Sequence, residues 1–192
     1  MNVSFGQKIP IALGQIQNRK TGEFEQATIY EVDCKDEHDI IEARNDSKGW
    51  SFPTEFATNM HCKHVTHKQY NKNNDSSFYI LQNQDYNTLG RIQIDNEDDE
   101  IYTVEWFDTK ANNGYRFVGQ TLLATAAKEV LHKNGSTLAV LGAVEDAIPF
   151  YTDVCQFQEL GKQRFYMDKN EIKDFIKRTE KRTNATLIDL KA

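Results

Sequence analysis

The sequence predicts an α+β domain built on a mixed, mostly antiparallel central sheet with flanking helices. Three observations predict it. Three β-prone runs follow one another between residues 77 and 109, joined by short polar turns. The third leads through an amphipathic stretch into another apolar run, "TLAVLGAV", and a strand–helix–strand unit of this kind pairs its strands in parallel across a right-handed crossover. A last pair of β-prone runs, "FQELG" and "QRFYMD", closes the series.

The elements can be justified in chain order. "IPIALGQIQ" and "ATIYEVDC" are β-prone runs separated by "NRKTGEFEQ", whose Asn18, Thr21 and Gly22 supply turn chemistry, so residues 9 to 33 read as a hairpin. "KDEHDIIEAR" sets acidic residues ahead of Ile40 and Ile41, a short helix with negative charge at its positive end. "SFPTEFATNMHCKHVTHKQY" opens with Pro53 and Thr54 and continues without a breaker, a second helix; "NKNNDSS" is a loop. "SFYILQNQ", "TLGRIQIDN" and "IYTVEWFDT" form an antiparallel meander, each rich in aromatic and β-branched residues. Next, Val118, Leu122, Leu123, Ala126, Ala127 and Val130 step at helical spacing, a stripe facing a sheet, and Gly135 in "KNGS" stops the helix. "TLAVLGAV" is a continuous apolar strand, expected to be buried on both faces. "EDAIPFYTDV" is a short helix, and "NEIKDFIKRTEKR" after the strand pair is an amphipathic one. The tail "TNATLIDLKA" reads as an added strand or a frayed end. The expected organisation is one domain over residues 1–192. The hairpin of about 9–33 is an elaboration of it or a homodimer contact, and a C-terminal helix and tail span about 169–192.

Composition bounds the function. A chain of 192 residues buries roughly 70% of its unfolded surface, enough for one core. With 39% hydrophobic and 27% charged residues it reads as a soluble globule with a polar surface. No apolar run approaches the ~20 residues of a membrane span, and "MNVSFGQKIPIALGQ" lacks a basic start leading into a long apolar stretch, so neither a span nor a signal peptide is expected. Cys34, Cys62 and Cys155 are far apart and odd in number, which points to free thiols in a reducing, cytoplasmic compartment. The formal charge of -6 argues against a nucleic-acid partner, whose phosphates need a basic stripe, and mildly favours cationic small molecules or basic peptides.

The stretch "NNGYRFVGQTLLATAAKEVL", residues 112 to 131, carries more than a helix start requires. A helix N-terminus bears about half a positive charge and several unsatisfied N–H groups, an anion cradle. Gly119 lets backbone come close to a phosphate, Arg116 offers charge-assisted hydrogen bonds, and Asn112, Asn113 and Gly114 tolerate left-handed conformations. A nucleotide P-loop would need Lys and then Ser or Thr after its last Gly, where this chain has Gln120 and Thr121. A dinucleotide fingerprint would need three closely spaced glycines and a different strand order. Both fail.

From about residue 27 to 168 the sequence resembles the GNAT superfamily of acetyltransferases. The family's pyrophosphate loop reads Arg or Gln, two residues, Gly, one residue, Gly or Ala. Arg116 and Gly119 match it, and Thr121 stands where Gly or Ala is expected. "AIPFY", with Ala147, Phe150 and Tyr151 and then Phe157, matches a second family feature. The chain departs from the family at Val144, where many members carry Asn. It also has one residue more than usual between Tyr151 and Phe157, with Cys155 and Gln156 where a Gly is common.

The resemblance implies the GNAT-like acyl-CoA acyltransferase fold, acetyl-CoA as co-substrate, and direct acetyl transfer to a primary amine of a small molecule or peptide. It implies a cradle at Arg116, Phe117, Val118, Gly119, Gln120 and Thr121, with the amides of Trp106 and Phe107 clasping the thioester carbonyl at a strand bulge. Tyr151 is the implied acid for the leaving thiolate, its unperturbed pKa of ~10 lying near a thiol's ~8.5; the alternative is a ring packed on cofactor or core. Glu105 is the implied base, with an exposed strand glutamate as the alternative. Cys155 reads as a structural thiol, because no His is near it in sequence and the family uses no acyl-enzyme. His61, His64 and His67 diverge around their helix, so they read as a solvated face or as part of an acceptor pocket, and no metal site is expected. The departures keep a second reading open, a non-catalytic acyl-CoA-binding regulatory module.

Overall fold

The computed structural model describes residues 9–36, 50, 62–63, 65–66, 76–98 and 100–190. The strands are β1 (Ile9–Asn18), β2 (Phe24–Glu31), β3 (Ser77–Gln82), β4 (Thr88–Asp98), β5 (Ile101–Thr109), β6 (Tyr115–Arg116), β7 (Thr137–Val140), β8 (Gln158–Gly161), β9 (Arg164–Asp168) and β10 (Ile188–Asp189). Among the described residues the two long helices are α1 (Val118–His132) and α2 (Lys169–Thr183). All the strands join one sheet, ordered β10-β1-β2-β3-β4-β5-β7-β9-β8, with β6 beside β1. Every pairing is antiparallel except β5 with β7, the two strands joined through α1. The α+β, mixed and mostly antiparallel architecture is therefore present.

Burial explains the layers. Leu122, Leu123, Ala126, Ala127 and Val130 of α1 are fully buried against the sheet, and small alanines in that stripe let helix and strands approach closely. Phe175 and Ile176 of α2 extend the same core. Asp168 caps α2 in a reciprocal box: its carboxylate accepts from the amides of Asn170 and Glu171, and Glu171 accepts from the Asp168 amide. On the opposite face of the sheet Val32, Cys34, Cys62, Val65, Phe78 and Ile80 form a second, smaller cluster. Cys62–Lys63 and Val65–Thr66 are helical; the rest of the two early helices expected over 35–44 and 51–70 lies outside the described residues, apart from a turn at residues 34–35. Among the described residues no helix is long and apolar enough to cross a membrane.

Two expectations need correction. "TLAVLGAV" is a strand only to Val140; Leu141 and Val144 are 51% and 69% exposed, because the chain there leaves the sheet instead of staying buried on both faces. Gly135 is not the left-handed stop. Asn134 takes that conformation at φ 62°, and Gly135 is required because a Cβ would stand 2.6 Å from Val130 Cγ1 and 2.8 Å from Tyr102. The N-terminal hairpin belongs to the main sheet: β2 pairs with β3, and the outer side of β1 pairs with β10 at Ala12 and Leu13 and with β6 at Gln17 and Asn18. The tail resolves as a strand, β10, with Ala12 opposite Asp189 and Leu13 opposite Ile188.

Gly135→Ala should lower unfolding stability by about 1–3 kcal/mol through overpacking, whereas Gly142→Ala, with open space around its Cβ position, should stay within about 0.5 kcal/mol of the parent. Urea denaturation of the two variants checks this.

Candidate active site

β5 and β7 run together for four pairs, from Ile101 with Thr137 to Val104 with Val140. β7 then ends, while β5 continues to Thr109. Between Gln93–Trp106 and Ile94–Val104 the β4–β5 register shifts by one, so Glu105 is the extra residue of a β-bulge. A bulge bends its strand and re-aims neighbouring groups. β5 thus parts from β7 at Val104, and a cleft of about 540 Å³ opens between them, lined by residues 104–108 and 140–144 with Ala147 and Tyr151. Tyr151, Glu105, Trp106 and Phe107 are brought together here.

A second cavity of about 500 Å³ lies at the start of α1, lined by residues 109–119 and Arg19. Phe117 is the N-cap of α1 in a left-handed conformation, φ 67° and ψ 2°, an unusual position for a bulky residue. Its ring stacks on Phe24, centroids 6.2 Å apart, which helps hold the kink. No side chain caps the helix and no acidic residue occupies its first turn, so the positive end of the dipole is neither bonded nor neutralised by its own turn. Lys110, Arg116 and Arg19 add cationic side chains to the same cavity. An anionic group fits this donor set by charge and by hydrogen bonding.

The loop leading there is built by Asx chemistry. Asn112 and Gly114 take positive φ, 52° and 80°, and the Asn113 carboxamide accepts from the Tyr115 amide at 2.8 Å. The β1–β2 turn then braces it: the Arg19 amide donates to Gly114 O at 2.8 Å, and its Nε donates to Tyr115 O at 3.0 Å. Arg19 was not legible as a site residue, because the pairing of β1 with β6 that brings it there spans nearly a hundred positions.

One implied cradle residue, Thr121, is engaged within the chain. Thr121 is fully buried, its amide donates to Phe117 O, and its hydroxyl donates to Gln15 O at 3.0 Å, so neither group remains for a ligand. Gln120 is half-buried and lies just beyond the cavity lining. Gly119 does line the cavity. A Cβ on it would stand 3.3 Å from the rings of Phe107 and Phe150, so the glycine serves close ring packing as well as access to the cavity. Val118 is buried and Arg116 exposed.

Tyr151 is 5% exposed, edge-on to Phe150 and Phe157 and stacked on Phe165. Burial, with a smaller contribution from Cys155, pushes its phenol well above the ordinary value. Residues 150–155 form a turn of π-helix, and the Phe157 amide donates to Tyr151 O at 2.9 Å. The additional residue between Tyr151 and Phe157 is absorbed in that wide turn. Gln156 takes the left-handed conformation, φ 62°, where a Gly is common. Burial also raises the Cys155 thiol, against the opposing pull of Arg182 and Arg178, and keeps it neutral and fully enclosed, as a structural thiol should be.

Glu105 is exposed and accepts from Thr103 Oγ1 at 2.9 Å, so the idea of a partly buried carboxylate gives way to a solvent-facing one at the cleft edge. Three residues further along, Asp108 also lines the cleft, and its side chain is 18% exposed. Its cross-strand partner Arg91 is fully buried beneath Trp50, at 3.9 Å from the ring, with Nη2 3.8 Å from Asp108 Oδ2. Burial raises the Asp108 pKa more than Arg91 lowers it. Arg91, Gln93 and Asp95 form a row of polar residues on one face of β4, each at most 1% exposed. His61, His64 and His67 lie outside the described residues.

No family model matches the sequence, and no curated protein does. Solved structures do. A protein from Desulfovibrio desulfuricans described as an acetyltransferase of the GNAT family aligns at a TM-score of 0.57 with 14% identity, covering 74% of this chain and 99% of that one. An acetyltransferase of the GNAT family from Staphylococcus aureus aligns at 0.53 and 14% identity, covering 74% and 99%. A mutant of the spermidine N-acetyltransferase SpeG from Vibrio cholerae aligns at 0.52 and 15% identity, covering 76% and 95%. The likeness spans nearly the whole of each neighbour and defines the class: this chain has the GNAT acyltransferase fold. At such low identity the likeness shows the fold alone.

Because the Asp108 carboxyl is raised, the folded state holds its proton more tightly than the unfolded chain, and its charged form costs stability as pH rises from the ordinary value of 3.8 toward neutrality. Asp108→Asn lacks this titration. Its stability relative to the parent should therefore improve between about pH 4 and pH 7, as checked by denaturant unfolding across that range.

Proposed function

We propose that the chain is an acetyl-CoA-dependent N-acetyltransferase acting on a primary amine of a small molecule or peptide. The observation that carries this reading is the cleft where β5 leaves β7 at a bulge, with Tyr151 on its wall and the uncapped start of α1 nearby. Acetyl-CoA supplies an acetyl group activated as a thioester. The amides of Val118, Gly119 and Gln120, with Arg116, would hold its diphosphate. Backbone donors of Trp106 and Phe107, on the part of β5 beyond its pairing with β7, would polarise the carbonyl. Glu105, open to water at the cleft edge, would accept the proton of the incoming ammonium. Tyr151 would hold its proton toward the departing sulfur. The buried, neutral Cys155 supports direct transfer without an acyl-enzyme. The acidic surface and the spermidine specificity named for one structural neighbour favour a cationic acceptor. Three free, buried cysteines support a reducing, cytoplasmic setting.

Acetyl-CoA at 100 times its dissociation constant should stabilise the fold by about 2.7 kcal/mol in a thermal-shift assay, and ATP should not match it. Arg116→Glu should abolish that shift. No shift at millimolar acetyl-CoA would remove the proposal.

With the acceptor found by thiol release across an amine panel, Tyr151→Phe and Glu105→Gln should each lower kcat by about 10²-fold while retaining the acetyl-CoA shift. A protein that shifts but releases no thiol with any amine would instead be an acyl-CoA-binding module.

A further inference from the structure

A cluster of metal-type donors lies at the far end of α1, away from both cavities. Glu129 and His132 stand three residues apart on the helix, so their side chains share a face. β10 delivers Asp189 to the same place. Its position is fixed by the register of Asp189 against Ala12 and by the Leu190 amide donating to Ile11 O at 2.9 Å. His132 Nδ1 is 3.1 Å from Asp189 Oδ2 and 3.5 Å from Glu129 Oε1, and the three donor atoms lie within 4.8 Å of one another.

We propose that Glu129, His132 and Asp189 form a binding site for a divalent transition-metal ion of the zinc type. Zinc sits about 2.0–2.2 Å from imidazole nitrogen and carboxylate oxygen, and ligand atoms at tetrahedral corners around it are then about 3.3–3.4 Å apart. The two measured edges bracket that separation, so an ion fits with small adjustments of side-chain torsions. Two carboxylates and a neutral imidazole cancel a double positive charge. The Glu129 and Asp189 side chains are only 6% and 15% exposed, which strengthens their attraction to a concentrated cation. His132, at 43%, leaves an entry path and a solvent-facing position for a water ligand. The ion would tie the last strand to the helix whose other end forms the anion cradle. It is independent of the acetyl-transfer reading, and its donors are some sixty positions apart, a spacing that no short motif reveals.

The competing account is an imidazolium held by two carboxylates with no ion. Calorimetric titration of the chelator-stripped chain with Zn²⁺ at pH 8, above the ordinary imidazole pKa of about 6.5, separates the two. The expected result is one equivalent bound with a raised melting temperature, and tetrahedral visible bands with Co²⁺. His132→Ala and Asp189→Asn should each weaken binding at least about tenfold, while the combined His61→Gln, His64→Gln and His67→Gln variant should leave it unchanged. His132 is exposed enough to be removed without opening a cavity, so its variant remains folded and informative. Absence of zinc binding by the parent, or undiminished affinity in both His132→Ala and Asp189→Asn, would overturn the site.

Discussion

The mismatch in length between two parallel strands governs the rest of this structure. β7 has four residues and β5 has nine, so their hydrogen bonding stops at Val104 and Val140 and the far half of β5 keeps only β4 as a ladder partner. Beyond Val104 that half of β5 is exposed or half-buried, so the side facing away from β4 is open to other partners. The bulge at Glu105 turns that stretch away from β7, and the chain after Val140 bends off to form the opposite wall. The α1 core makes the arrangement durable: Tyr102 and Val104 are locked against it before the bulge, and Phe107 packs against Gly119 and Phe150 after it. An enclosed apolar wall and an open polar edge therefore meet within one strand.

The N-terminal hairpin contributes in a way a peripheral addition could not. β1 meets three partners along its length: β2 throughout, β10 in the middle and β6 at its end. The last contact seats the β1–β2 turn on the loop before α1, with Arg19 bound to Gly114 and Tyr115, and Tyr115 reaching back to Glu25 at 3.0 Å. A left-handed Phe117 with no side-chain cap is a strained, under-satisfied helix start. Such a start persists because its surroundings over-determine it, and the hairpin supplies much of that constraint.

Most elements were legible because local pattern and tertiary demand coincide. β5 matches its expected run to the residue and α1 carries the expected apolar stripe, as aromatic and β-branched alternation and a stripe of small apolar residues each have one compatible partner, the other element's face. What escaped is non-local. The bulge is a property of register between β4 and β5, and nothing in "YTVEWF" marks Glu105 as the surplus residue. Thr121 looked like a substitute for a cradle glycine, yet its hydroxyl answers Gln15 on a distant strand. Asp108 looked like an ordinary strand residue; only its register opposite buried Arg91 makes it notable. The extra residue before Phe157 read as a departure from family spacing, whereas a π-turn accommodates it and keeps Tyr151 and Phe157 edge to face, 5.6 Å apart.

That π-turn bears on the chemistry through Tyr151. A phenol enclosed by Phe150, Phe157 and Phe165 holds its proton more firmly than one in water, since the phenolate would lose its hydration. The group therefore stays a neutral hydrogen-bond donor across the working pH range. Whether it can also part with its proton depends on the acceptor's surroundings. A thiolate in water, with a pKa of ~8.5, would be too weak a base to take it. A sulfur anion held against the same aromatic wall, as the proposed reaction requires, would lose hydration likewise, and its own pKa would rise with that of the phenol. In that reading, matched desolvation would restore the balance that burial of Tyr151 alone would upset, provided water is kept from both atoms. In the acetyl-transfer reading proposed above, the closed aromatic wall would be part of the acid, and the exposed edge at Glu105 would give the proton its way out to solvent.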